Sequence, residues 1–334
     1  MSGPRVAIAS EGWNVPRYRY VGTHIYTEAM LAAARSVGVD AYPLPRRMFH
    51  GQRIGGLVMP LAYQVLARYD TPDVVHQATP IASPGVDIVT IHDIRVFGSQ
   101  RLADRFFRFE TTLSMRLAKR VMVTTAWMGE EIRELLPWVR EKLRVIPYPF
   151  ETPPLCRQTP AAYDVLWISR LAPYKDPDLY LNLAAAFPEQ QFAVRGSTWP
   201  GWESFAEALR ARGPPNVTFL PLLSEEERDR LYRSVPILVS TSRYEGFHAP
   251  IMEGYIRGMK VILPRIQPYV EIYSGREPAP NVFWYEPKNA LSLADAFRRA
   301  TETETRAPSD AIVGRVSHTT VGRQLKALYE EAAA

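Results

Sequence analysis

Short apolar runs of strand length, separated by amphipathic stretches of helical length, recur from Arg5 to Trp284 of this 334-residue chain. Residues 5–9, 73–76, 87–92, 120–124 and 143–146 supply a first set of runs. Residues 163–168, 191–194, 217–220, 236–239, 260–263 and 282–284 supply a second. Such alternation is the pattern of parallel sheets joined by crossover helices, so the fold class expected is α/β. Between the sets lies Pro147-Tyr-Pro-Phe-Glu-Thr-Pro-Pro154, which can continue neither a helix nor a central strand and reads as a linker. Two Rossmann-like domains facing across a cleft are expected, with ligands at the carboxyl ends of the strands.

Composition agrees. Hydrophobic residues make up 46% and charged residues 22%, the balance of a globular chain able to bury a core. A single cysteine, Cys156, excludes an internal disulfide framework and a thiolate metal cluster, so a reducing, cytoplasmic setting is expected. No apolar stretch reaches membrane-spanning length, and residues 6–9 are strand-sized rather than a secretion signal. The net charge of +5 is unevenly placed: residues 1–150 carry 19 Lys+Arg against 13 Asp+Glu, whereas the remainder carries 21 against 22. The first half therefore suits an anionic partner, either a phosphorylated acceptor or an acidic membrane surface, unless its arginines only form a solvated face. Arg101-Leu-Ala-Asp-Arg-Phe-Phe-Arg-Phe109 is amphipathic and basic, and its apolar residues are expected to face a core, with membrane lipid as the alternative. No nucleic-acid partner is expected.

The most informative stretch is Tyr244-Glu-Gly-Phe-His-Ala-Pro-Ile-Met-Glu-Gly254, which follows the apolar run 235–239. Proline suits a first helical position, so a helix is expected to start at Pro250 after a glycine-containing turn. A strand, a turn and a helix N-terminus make a site for an anion or an oxygen-rich ligand. Glu245 would face that ligand from the turn, and Glu253, on the first turn of the helix, could accept hydrogen bonds from a diol. Solvated glutamates well placed on the helix dipole are the alternative.

Three further clusters fall at run ends. In Trp167-Ile-Ser-Arg-Leu-Ala-Pro-Tyr-Lys-Asp176, Arg170 offers a bidentate fork and Lys175 a compact charge, suited to phosphate oxygens unless this is an ordinary basic loop. In Thr90-Ile-His-Asp-Ile94, His92 is positioned for cleft chemistry and the Asp93 carboxylate could fix its tautomer or raise its pKa. His76 lines the cleft at most. Gly22 stands ahead of the first helix, where a plain helix N-terminus explains it, and Arg17 and Arg19 nearby could assist a phosphate or reach an anionic acceptor.

Residues 244–263 resemble the nucleotide-sugar motif of retaining family-4 glycosyltransferases of the GT-B fold: a glutamate, a glycine, an aromatic, a proline, a second glutamate, then a small-residue helix and a buried strand. The resemblance implies that Glu245, Gly246, Phe247, His248 and Ala249 contact the donor sugar and that Glu253 holds the ribose hydroxyls. His248 stands where a glycine is frequent. Residues 167–176 resemble the family's Gly/Ser-Arg-Leu…Lys element, which implies that Arg170 and Lys175 grip the diphosphate. Residues 90–94 are similar to its His-Asp element, implying His92 near the reacting carbon and Asp93 in a supporting or acceptor-side role. Gly22 would approach the donor phosphates.

The resemblance runs from Arg5 to Tyr329 and implies domains at 1–150 and 151–316, with a helix in 317–334 crossing back to the first domain. The activity implied is metal-independent, retaining transfer of a sugar from a nucleotide-diphosphate sugar to the hydroxyl of a glycan, glycolipid or small molecule. No cofactor is needed beyond that co-substrate. Residues 101–109 and the basic first half, rather than the resemblance, are the ground for expecting an anionic or lipid-linked acceptor and peripheral membrane contact at the cytoplasmic face. A nucleotide-sugar epimerase or a non-catalytic nucleotide-sugar-binding protein on the same fold stays open as an alternative.

Overall fold

The computed structural model describes residues 3–9, 22–44, 71–80, 82–98, 102–155, 162–198, 201–275 and 278–334; Arg17, Arg19 and Cys156 lie outside them. The chain divides into two compact units, one made of Met1–Glu151 with Gly314–Ala334 and the other of Thr152–Val313.

In unit 1 the strands are β1 (Arg5–Ala9), β2 (Asp40–Leu44), β3 (Val74–Gln77), β4 (Ile88–Ile91), β5 (Arg120–Val123) and β6 (Leu143–Val145). They form one sheet in the order β2-β1-β3-β4-β5-β6, with every neighbouring pair parallel. Its helices begin with α1 (Gly22–Ser36), α2 (Arg95–Gly98), α3 (Leu102–Leu117) and α4 (Ala126–Leu135). The apolar runs become strands because helices cover both faces, so β3 and β4 are buried at every position. Strand β2 gave no apolar run: it holds Pro43 and lies at the sheet edge, where a missing N–H costs no ladder bond.

Two sequence expectations are corrected in this unit. His76 does not line a cleft. It is fully buried, with Nδ1 3.0 Å from the Tyr329 hydroxyl and Nε2 2.8 Å from Thr90 Oγ1. Burial, and secondarily His92, pushes its pKa down to about 3. The phenylalanines of residues 101–109 do not face a core either: Phe106, Phe107 and Phe109 on α3 are 62%, 53% and 65% exposed.

The first residues of the linker are packed structure. Tyr148 and Phe150 are buried and stacked at 4.8 Å, and the Phe150 N–H donates to the Val316 carbonyl at 2.7 Å.

Unit 2 contains β7 (Val165–Arg170), β8 (Phe192–Ser197), β9 (Val217–Leu220), β10 (Ile237–Val239), β11 (Lys260–Pro264) and β12 (Val282–Tyr285), all parallel, in the order β12-β11-β10-β7-β8-β9. Its helices are α5 (Pro177–Ala186), α6 (Glu203–Ala211), α7 (Glu225–Ser234), α8 (Ala249–Ile256), α9 (Tyr269–Tyr273) and α10 (Ala290–Glu302). Chain winding starts at β7, runs outward to β9, then returns to β10 on the other side. The order therefore reverses between β7 and β10, and a doubly wound sheet binds ligands outside the carboxyl ends of such strands. Trp167, Tyr180, Phe192 and Phe297 dominate the core on one side of this sheet.

Helix α11 (Asp310–Val316) leads into α12 (His318–Ala333), which belongs to unit 1. Gly322 lets α12 lie directly on α1, since a Cβ there would collide with the Ala33 carbonyl. Near the end of α12, Glu331 pairs with Arg120 and Arg144, and the Lys119 ammonium donates to the Ala332 carbonyl at 3.0 Å.

Candidate active site

The loops leaving β7 and β10 meet beside the point of reversal and are bonded to each other. The Thr241 hydroxyl accepts the Trp167 indole N–H at 3.0 Å and donates to the Lys175 carbonyl at 2.8 Å. The Arg243 N–H donates to the Tyr174 carbonyl, and its guanidinium to Asp176, both at 2.8 Å. These bonds place Lys175 and Glu245, 70 residues apart in sequence, side by side. The ammonium donates to Glu245 Oε2 at 2.6 Å, and the two residues are 8% and 5% exposed. Glu245 therefore turns inward from its turn instead of standing free in solvent.

Burial alone would raise the Glu245 carboxyl, but the nearby His248 and Lys175 outweigh it and hold the group far below the usual carboxylate range. Glu245 Oε1 lies 3.0 Å from His248 Nδ1, out of line for a hydrogen bond, so this contact is electrostatic. Nδ1 lies 2.5 Å from the Tyr269 hydroxyl, and Nε2 lies 3.3 Å from the Ile168 carbonyl. A carbonyl can only accept, so Nε2 carries a proton. Nδ1 then accepts the Tyr269 O–H when the ring is neutral and donates when it is an imidazolium. Tyr269 also bonds Ser240 Oγ at 2.7 Å, and its phenol is pushed up by burial and then by Glu245. The Tyr285 O–H donates to the Ser240 carbonyl at 3.0 Å.

Two of the five non-glycine residues with left-handed backbone among the described residues belong to these loops; Thr71, Asn281 and Lys288 lie elsewhere. His248, at φ 64 and ψ 66, caps α8 from the left-handed region, and Asp176, at φ 49 and ψ 52, does the same for α5. Glycine occupies that region without steric cost, whereas another residue there costs about 1–2 kcal/mol. The His248 ring is held from both nitrogens, and Asp176 is held by Arg243. Left-handed non-glycine residues concentrate at functional sites.

Helix α8 begins at Ala249, one residue before the start expected at Pro250. Its N-terminus presents backbone N–H groups and a positive dipole end, which suit an anion. Gly246 and Phe247 are buried in the preceding loop, and Ala249 is half-buried. Arg170, the last residue of β7, is also half-buried. Glu253 is the fifth residue of α8, one residue further into the helix than the start expected at Pro250 would place it. Its carboxylate lies 3.9 Å from Arg228 Nε on α7.

In unit 1, His92 Nε2 donates to the Ala78 carbonyl at 2.8 Å, and the ring meets Tyr26 edge-on at 4.4 Å. Asp93 instead accepts the Arg95 N–H at 2.7 Å and the Arg95 guanidinium at 2.6 Å. The expected pairing is thus corrected: Ala78 fixes the His92 tautomer. Burial pushes the His92 pKa down, outweighing the upward pull of Ala78 and Asp93. Gly22 is the first residue of α1.

Sequence reading missed Tyr269, Ser240, Thr241 and Asp176. Only Asp176, next to Lys175 and directly before Pro177, carried a local signal, that of a helix cap. Among the described residues, no group of three or more His, Cys, Asp or Glu gathers as a metal site.

Two Rossmann-like units of this construction define the GT-B glycosyltransferase fold. The solved structure of Anabaena Alr3699/HepE in complex with UDP and glucose is similar over 98% of this chain and 100% of that one, with TM-score 0.73 and 16% identity. The catalytic domain of Starch Synthase IV from Arabidopsis thaliana bound to ADP and acarbose is similar over 99% and 100%, with TM-score 0.70 and 13% identity. Residues 160–312 match the family model described as Glycosyl transferases group 1, so unit 2 is a domain of that family. The D-inositol 3-phosphate glycosyltransferase of Mycolicibacterium gilvum (strain PYR-GCK) is 30% identical over 108 residues, which are 31% of this chain and 24% of that protein's length.

Proposed function

We propose that the chain is a retaining glycosyltransferase that moves a sugar from a nucleotide-diphosphate sugar to an acceptor hydroxyl without a divalent metal. The observation that carries this reading is the buried Lys175–Glu245 pair, where the loops of two adjacent parallel strands meet the N-terminus of α8. In this reading unit 2 holds the donor. Lys175 and Arg170 take the diphosphate, whose charge grows as the glycosidic bond breaks, and the α8 dipole adds to their field. Glu245, Gly246, Phe247, His248 and Ala249 contact the donor sugar, and Glu253 the ribose. On unit 1, Gly22 is the residue proposed for the donor phosphates, and His92 and Asp93 those proposed for catalysis.

Glu245 stays ionised at neutral pH, so its role is to accept hydrogen bonds and hold Lys175, not to supply a proton. The acceptor oxygen attacks the anomeric carbon on the face the diphosphate leaves. Its proton passes to a diphosphate oxygen as the carbon–diphosphate bond breaks, which retains configuration with no covalent enzyme intermediate. The acceptor class is a glycan, a glycolipid or a small molecule, and the setting cytoplasmic.

The test is a panel of nucleotide sugars incubated with the protein and an acceptor set in the presence of a chelator. Nucleoside diphosphate release and the anomeric configuration of the product are then measured. Transfer with retention is expected, together with loss of transfer in the doubly substituted Lys175→Met/Glu245→Gln chain. Undiminished transfer by that variant would overturn the assignment.

A further inference from the structure

Helix α3 turns its most apolar side chains outward. Phe106, Phe109, Leu113 and Leu117 follow at i, i+3, i+7 and i+11, so they lie along one stripe of the helix. Phe106, Phe109 and Leu117 are 62%, 65% and 44% exposed, and Phe107 beside them is 53% exposed. Buried instead are Thr111, Ser114 and Met115. A surface helix normally does the reverse, burying its apolar stripe and exposing its polar face. Four of the nine exposed large hydrophobic side chains among the described residues sit on this one helix, so the patch is not the ordinary scatter of single apolar residues.

Arg105 and Arg116 line one edge of the stripe, and Glu110 lies on the other. Arg105 and Arg116 are exposed on α3 and Arg108 is half-buried, against Asp104 and Glu110. The Arg116 guanidinium lies 4.5 Å over the Trp138 ring, which sets an amphipathic aromatic beside the helix. At the C-terminal end of α3, Lys142 donates to the Arg116 and Ala118 carbonyls at 2.9 Å, and Lys119 and Arg120 follow directly. Asp87 and Glu331 offset the last two.

We propose that α3 is a docking helix for an anionic membrane surface. Phe106, Phe107, Phe109 and Leu117 enter the boundary between headgroups and acyl chains, and the arginines engage acidic headgroups. The stripe from Phe106 to Leu117 is about 16 Å long, and aromatic side chains reach roughly 5–10 Å into such a boundary. No helix of the described residues is long and apolar enough to cross a membrane, so the contact is peripheral. A second copy of the chain fits less well. Two copies joined through this stripe would bring together helices that each carry Arg105, Arg108 and Arg116 against Asp104 and Glu110, and the excess of like charge repels.

The experiment is flotation of the full chain with vesicles of phosphatidylcholine alone or mixed with phosphatidylglycerol, at low and high salt. Light scattering gives the oligomeric state in parallel. Flotation with the anionic vesicles is expected, weakened by salt. In Phe106→Gln/Phe109→Gln the bound fraction should fall about tenfold or more with an unchanged melting temperature. Arg105→Gln should reduce it about fivefold. Equal binding to neutral and anionic vesicles overturns the proposal, as does flotation of the double phenylalanine variant at the wild-type level. A dimer that the double variant dissociates, with no vesicle binding, assigns the stripe to a second copy and also overturns it. No donor or acceptor is needed, so failure here leaves the sugar-transfer reading untouched.

Discussion

Replacing Glu245 with glutamine keeps the shape of the side chain and removes its charge, which makes the Lys175–Glu245 contact the most direct place to test the physics of the site. At the observed 2.6 Å separation, the attraction is about 6 kcal/mol at an effective dielectric constant of about 20. Most of that is offset by the cost of taking both charges out of water, so the intact pair adds little net stability. Losing one partner is different, because the other is left charged and buried, at a cost of about 3–5 kcal/mol. For a unit of this size that lowers the melting temperature by roughly 10 °C. Glu245→Gln and Lys175→Met should each show this loss near pH 7, where the carboxylate is ionised. The combined variant should recover most of it. The assay is chemical denaturation of all four chains, analysed as a double-mutant cycle. Single losses below about 1 kcal/mol that simply add would refute the reasoning, since they describe a solvated pair. Catalytic loss in either single variant therefore has to be read beside its stability, and the combined variant is the cleaner probe of function.

His76 should make unit 1 acid-sensitive. Its pKa is depressed from 6.5 to about 3, so its stabilising contribution is complete above the unfolded value and is lost as pH falls through the interval between the two. A loss of about 2 kcal/mol is expected near pH 5, and His76→Asn should flatten the pH dependence of the melting temperature; parallel curves would contradict this. Gly322→Ala should destabilise unit 1 by about 1–3 kcal/mol despite better helix propensity, because the new methyl meets the Ala33 backbone carbonyl, measurable by urea titration. His248→Gly should be more stable than His248→Ala by about 1 kcal/mol: both lose the ring contacts, but only alanine keeps the left-handed penalty at φ 64. Equal stability of those two variants would show that the backbone relaxes out of that region.

Much of the fold was legible because fully buried parallel strands announce themselves as continuous apolar runs. The exception, β2, is instructive: Asp40-Ala-Tyr-Pro-Leu44 has no such run, since an edge strand needs neither full burial nor a complete set of donors. The site was legible in its residue types and poorly legible in its pairings. Glu245 sits among Gly246, Phe247 and Pro250 in sequence, yet its charge partner comes from another loop. Asp93 is adjacent to His92 but bonds Arg95, because a side chain at a helix start is aimed along the chain and not back to its neighbour. On α3, helical spacing identified an apolar stripe; spacing alone does not say whether that stripe points toward the sheet or away from it.

The return of α12 to unit 1 has a bearing on how the chain is made. Unit 2 is one contiguous segment, whereas the first unit lacks Tyr329, the hydroxyl partner of His76, until the last helix leaves the ribosome. Domains fold as units during synthesis, so the later-encoded lobe can be finished while the earlier-encoded one still awaits its closing element. The N-terminal sheet is then the part exposed longest to chaperones and proteases.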